Sequence, residues 1–145
     1  MEEELLKKLH SFIIENNPDL LVQLYDNRMM AAYLEDKLKL AVPLITQLSD
    51  AGKPAAVIEE QCMNRLTADL RPSRFHYIRE VLEDEFEPVY YRLVESGTLT
   101  YEIISLLEDC NLVFDDFGFS EDNENNRGLR RQIIRAISDY QERKE

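Results

Sequence analysis

Apolar residues recur three and four positions apart along almost the whole chain, the spacing that gathers them on one face of an α-helix. Between Glu2 and Asn16 the stripe is Leu5, Leu6, Leu9, Phe12 and Ile13, with Lys7, Lys8 and Glu15 off it. Asn16-Asn17-Pro18 ends that helix, because the residue before a proline is pushed out of the α region and Asn tolerates a turn. Asp19 is then placed to cap the next one. From Leu20 to Ala51 a long pattern passes through Leu24, Met29, Tyr33, Leu38, Leu40, Leu44, Ile45 and Leu48. It predicts two or three helices, joined near Asp26-Asn27 and near Pro43, whose ring and missing N–H break or kink a helix interior. Gly52-Lys53-Pro54 reads as a stop and a restart. A further helix follows over Ala55 to Leu70, carried by Val57, Ile58, Cys62 and Leu66.

The cleanest period runs from Ser73 to about Glu95, through Phe75, Ile78, Leu82, Phe86, Val89 and Leu93. Pro88 inside it predicts a bend with the stripe carried across. Ser96-Gly97 closes that helix, and Thr98 or Thr100 caps one running through Ile103, Ile104 and Leu107 and out to Leu112. Residues 117–126, aromatic and then wholly polar, are the one extended non-helical stretch, before a last helix built on Leu129, Ile133, Ile137 and Tyr140. No period-2 run is long enough to be a strand, and no internal repeat is present. The expected fold is all-α, a single multihelical domain over residues 1–145 with six to eight helices, some kinked at Pro43 and Pro88.

Composition narrows the function classes. With 44% of its 145 residues hydrophobic and only 4 Gly and 5 Pro, the chain can bury a core and fits neither disordered nor collagen-like classes. A net charge of −12 argues against direct binding to DNA, RNA or an anionic membrane, which are themselves polyanions. No apolar run approaches a membrane span, and the acidic start Met1-Glu2-Glu3-Glu4 is unlike a secretory signal, so a cytoplasmic protein is expected. The charge is uneven. Residues 98–125 hold eight acids and no base, whereas the segment after them is the basic one. Arg127, Arg131 and Arg135 fall four apart on one stripe of the last helix, with Arg130 beside them, an arrangement able to grip phosphate or a partner's carboxylates. The eight preceding acids make intramolecular pairing the simpler reading, each exposed pair being worth little.

Catalytic chemistry is scarce. The two histidines lack a nucleophile setting: His10 lies among Leu6, Ile13 and Ile14 and reads as partly buried and structural, and His76 with Glu80 one turn on reads as a surface pair. Cys62 and Cys110 lie in apolar helical settings with no C-x-x-C, as reduced core residues do. An EF-hand reading from Asp122 fails, since position 6 is Arg127 and position 12 is Ile133. Weak cation binding by the acids between Asp115 and Glu124 stays open beside a solvated acidic loop. The Gly-rich and metal-ligating motifs of nucleotide enzymes, hydrolases and zinc proteases are missing, so no enzyme, cofactor or metal is expected. Tyr90, Tyr91, Phe117 and Phe119 are more aromatic surface than a kinked helix and a loop easily bury, which suggests a homodimer.

Several of these segments carry a resemblance. Leu5-x-x-x-Leu9 to Asn16-Asn17-Pro18, Phe75-His76-Tyr77 to Asp84-Glu85-Phe86, Leu106-Leu107-Glu108-Asp109-Cys110 to Val113-Phe114 and the closing helix are similar to a family of small all-helical Bacteroidetes proteins of unknown function. The resemblance spans nearly the whole chain. It implies a cytoplasmic multihelical protein, often encoded near conjugative or other mobile elements, and it carries no catalytic or ligand residues over. The acidic stretch Glu121 to Glu124 has no clear counterpart there. The expected function is a non-enzymatic interaction or accessory protein with a protein partner. The alternative is a DNA mimic, in which Glu80, Glu83, Asp84, Glu87 and the acids of residues 108–124 line one surface like a row of phosphates.

Overall fold

A computed structural model describes residues Met1–Lys144. Among them every regular element is helical: eight α-helices and one short 3-10 turn, with no strand. The all-α fold expected from the hydrophobic period is the one observed. The chain divides into two compact units, Met1–Leu70 and a second from Arg71 onward, each with a buried cluster of its own.

The first unit holds α1 (Glu2–Asn16), α2 (Pro18–Asp26), α3 (Met30–Asp50), α4 (Ala55–Leu66) and the 3-10 turn Ala68–Leu70. Leu5, Leu9 and Ile13 on α1 are fully buried against Ala41, Leu44 and Leu48 of α3 and Ile58, Cys62 and Leu66 of α4. Pro18 opens α2 in its first turn, where the missing N–H costs no hydrogen bond, and Asn17 (φ −136°, ψ 56°) makes the break before it. Pro43 corrects an expectation: α3 runs without a junction from Met30 to Asp50. The proline removes one intrahelical bond, to the carbonyl of Lys39, on an exposed face where water can take its place. The buried stripe of α3 also differs, comprising Met30, Lys37, Ala41, Leu44 and Leu48, while Leu40 is 56% exposed. Lys37 is buried because its ammonium donates to the Leu66 carbonyl (3.1 Å) and to Asp69 (2.8 Å), capping the end of α4.

The second unit is α5 (Arg74–Glu85), α6 (Glu87–Ser96), α7 (Leu99–Phe117) and α8 (Arg127–Lys144). Its core joins Phe75, Ile78 and Leu82 of α5, Leu106, Cys110 and Phe114 of α7, and Leu129, Ile133 and Ile137 of α8. The bent helix expected across Pro88 is instead two helices. Phe86 leaves helical geometry (φ −133°, ψ 47°), and Pro88 sits in the first turn of α6. Pro43 and Pro88 thus part company: a proline is tolerated either as a solvent-side defect or as a helix start. Ser73 caps α5 by accepting from the His76 N–H (3.1 Å). Gly97 and Gly118, both with positive φ, end α6 and α7.

The stretch from Gly118 to Asn126 is a tied turn. Asn123 donates to the carbonyls of Phe117 (2.8 Å) and Gly118 (3.2 Å), its side-chain oxygen accepts from the Ser120 N–H (2.9 Å), and Asn126 accepts from the Leu129 N–H (3.0 Å) at the start of α8.

Candidate interaction surface

The arginines of α8 separate into two groups. Arg127, Arg131 and Arg135 are exposed on one outward stripe and make no ion pair among the described residues. Arg130 sits a step round the helix, toward α5, with a nitrogen 3.4 Å from both Asp84 and Glu85. The expected pairing of this stripe with the acids of residues 98–125 does not occur. Four of those acids are met by other bases: Glu121 by Arg71 (3.6 Å), Asp115 by Arg74 (2.8 Å), Asp109 by Arg143 and Glu102 by Lys144 (2.7 Å). Sequence adjacency misled because the partners must lie opposite α7 across the packed helices, and Arg127, Arg131 and Arg135 point away from it.

The aromatic patch expected to mediate a homodimer is dispersed. Tyr90 is buried at 7% exposure, edge-on to Tyr91 at 5.3 Å, and of the two only Tyr91 faces solvent. Phe117 and Phe119 pack onto the core, and Phe119 lies 4.7 Å from Phe114 and 5.4 Å from Tyr77. Phe119 follows the end of α7, where no helical period shows which way a side chain turns, and Tyr90 is adjacent in sequence to Tyr91 but a step round α6, toward the core.

The exposed apolar side chains lie elsewhere. On α7, Tyr101 is 73% and Leu112 is 71% exposed, and Leu112 therefore falls off the core stripe on which it was expected. Tyr101, Ser105, Glu108 and Leu112 follow one another at steps of four, three and four, a single line along the helix. At about 1.5 Å per residue its two apolar ends are about 16 Å apart. Asp109, Asp115 and Asp116 flank it; Asp109 and Asp115 are held by Arg143 and Arg74, whereas Glu108 and Asp116 carry no ion pair among the described residues. The second helix also exposes Val22 and Tyr25, but Tyr25 is engaged by His10, whose Nε2 lies 2.9 Å from the hydroxyl, and the neighbouring charges, Asp26 and Arg28, are mixed.

The chain matches no protein-family model, no curated protein and no solved structure. Its own geometry is what bears on function.

No group of three or more His, Cys, Asp or Glu placed to hold a metal is found among the described residues. Both cysteines are free and buried, and burial pushes the Cys110 thiol up to about 12, with Asp109 adding to it. That keeps it protonated and a poor nucleophile. No helix among the described residues is long and apolar enough to cross a membrane.

One buried acid escaped the sequence reading. Glu102, in the first turn of α7, is 6% exposed, and both carboxylate oxygens accept from the Lys144 ammonium, at 2.7 and 2.9 Å. Hydrogen bonding to Glu102 raises the Lys144 pKa, and burial, with a bond to Glu102, raises that of Tyr140. The signal was absent because the base lies 42 residues away at the other end of the unit.

Proposed function

We propose that this chain is a non-enzymatic protein-binding module whose outward face on α7 docks a basic, amphipathic segment of a partner protein. The observation that carries this reading is the line from Tyr101 to Leu112: two large apolar side chains, the most exposed of those described, on one helix face bordered by carboxylates. Exposed apolar anchors gain by desolvation in a complex, and the two carboxylates beside them that carry no ion pair among the described residues, Glu108 and Asp116, are available to a partner's Lys or Arg. A partner helix with two apolar residues three turns apart and Lys or Arg beside them has matching spacing. A cytoplasmic accessory role near mobile elements accords with the family resemblance described above.

The DNA-mimic alternative needs a bare row of carboxylates. Of the acids that reading names, Asp84, Asp109, Asp115 and Glu121 are engaged by Arg130, Arg143, Arg74 and Arg71, which interrupts the row and favours the apolar-anchored reading.

The test is affinity capture of the tagged chain at low and moderate salt with mass-spectrometric identification, repeated with Leu112→Glu and Tyr101→Ala. Both sites are exposed, so folding should shift by no more than about 0.5 kcal/mol. A partner retained at both salts and lost with Leu112→Glu is the expected result. Unchanged capture by both variants refutes the α7 face. A nucleic-acid enzyme captured only at low salt, indifferent to both variants, favours the mimic.

A further inference from the structure

A cleft of about 280 Å³ opens in the second unit between α6, the first turn of α7 and the last turn of α8, lined by Val89, Arg92, Leu93, Glu102, Gln141 and Lys144. Its size equals about nine water molecules, room for a compact organic ion rather than a nucleotide. We infer that this cleft binds a short-chain aliphatic carboxylate, the head gripped by Arg92 and Gln141 and the alkyl body laid against Val89 and Leu93.

The argument starts from unused hydrogen-bonding capacity. The Gln141 Nε2 is buried and has no partner, and buried donors are almost always satisfied. Arg92, on the wall opposite, makes no ion pair among the described residues, so its planar fork of donors is free. Glu102 is the cleft's acid, and both its oxygens are already taken by Lys144, which closes it to a ligand's ammonium group. What remains is the Arg92 guanidinium on the α6 wall beside Val89 and Leu93, and the Gln141 amide donor facing it from α8. A ligand satisfying both presents acceptors at one end and methylenes at the other.

Charge selects between an acid and an amide. Arg92 and Lys144 outnumber Glu102, which leaves the cleft net positive in a chain that is otherwise strongly acidic. An arginine fork and a carboxylate match in geometry as well as sign, whereas a primary amide offers one acceptor and no charge. Inorganic phosphate has the charge but nothing for the aliphatic wall.

The probe is butyrate, titrated into the full ¹⁵N-labelled chain, with the backbone amides of the cleft-lining residues as readout in every variant and the Gln141 side-chain amide as an added reporter where it is present. A saturable shift with a Kd near ~1 mM is expected, since few contacts are made. Arg92→Met and Gln141→Leu should each weaken it about tenfold, and butyramide should bind about tenfold more weakly than butyrate. The dispersion of the same spectra reports whether each variant is folded, and Arg92, being exposed, can be changed without touching the core. Absence of a saturable shift in the folded native chain overturns the assignment. So does phosphate binding as tightly as butyrate with no response to Gln141→Leu, which means an adventitious ion only. Neither result touches the proposal for the outward face of α7, whose residues Tyr101 and Leu112 do not line the cleft.

Discussion

Replacing Phe114 with Ala tests the core of the second unit most directly. The ring is fully buried, lies edge-on to Tyr77 at 5.3 Å and tilted against Phe119 at 4.7 Å, and has the Arg74 guanidinium 5.2 Å from its centroid. Removing a buried Phe costs about 3–5 kcal/mol in transfer and cavity terms. Two aromatic contacts of about 0.5–1.5 kcal/mol each place this site at the top of that range, near 5 kcal/mol. A unit of about 75 residues has a stability of about 4–11 kcal/mol, so the variant should lose roughly half or more of it and retain at most about 6 kcal/mol. Phe114→Leu keeps much of the volume but loses both ring contacts, and should cost about 1–3 kcal/mol, clearly less than Ala. Urea unfolding followed by far-ultraviolet circular dichroism gives the free energies, and near-ultraviolet dichroism of the tyrosines reports packing around Tyr77. A loss below about 1 kcal/mol for Phe114→Ala, with an unchanged denaturant slope, refutes the placement of this ring at the centre of the core.

Two further outcomes follow from other residues. The Cys110 thiol is held at about 12 against an ordinary 9.0, so above pH 9 the unfolded chain releases this proton first. The contribution is complete below pH 9 and is lost at about 1.4 kcal/mol per pH unit as pH rises toward 12; Cys110→Ala should flatten that slope, and an unchanged slope counts against deep burial of the thiol. Gly118 has φ 60° and ψ 50° with nothing within 4 Å of an added Cβ, so Gly118→Ala should destabilise by about 1–2 kcal/mol through backbone strain alone, read as a shift in the urea midpoint without a change in slope.

The legible parts of the fold are those where one helix face meets one core. Leu5, Leu9 and Ile13, Phe75, Ile78 and Leu82, and Leu129, Ile133 and Ile137 are buried as their spacing requires. Proline was ambiguous because its local effect is the same at Pro43 and Pro88 while its outcome depends on what surrounds it. On α3 the unmade bond faces water. At Pro88 a second helix start was available, with Phe86 able to fold inward as the joint. The division into two units was not legible, since helical periodicity records which face is buried and not which neighbour buries it.

The candidate site shows the same limit in a form that bears on function. Two charged residues went inward, and of the large apolar residues left in water Tyr101 and Leu112 are the most exposed, against a reading that sorts by polarity. The inward pair has a structural account: Lys37 caps α4 and meets Asp69, and Glu102 is satisfied by Lys144, so each charge is compensated where it is buried. The outward pair has none inside the described chain, for Tyr101 and Leu112 have more than two-thirds of their surface in water. Isolated exposed leucines need no explanation, but these two share one helix line with Glu108 between them and carboxylates beside them. Where local rules are broken with a compensating contact, the fold explains it. Where they are broken without one, the proposed partner is what would supply it, and that asymmetry is why the solvent face of α7, rather than the arginine stripe of α8, is the surface to mutate first.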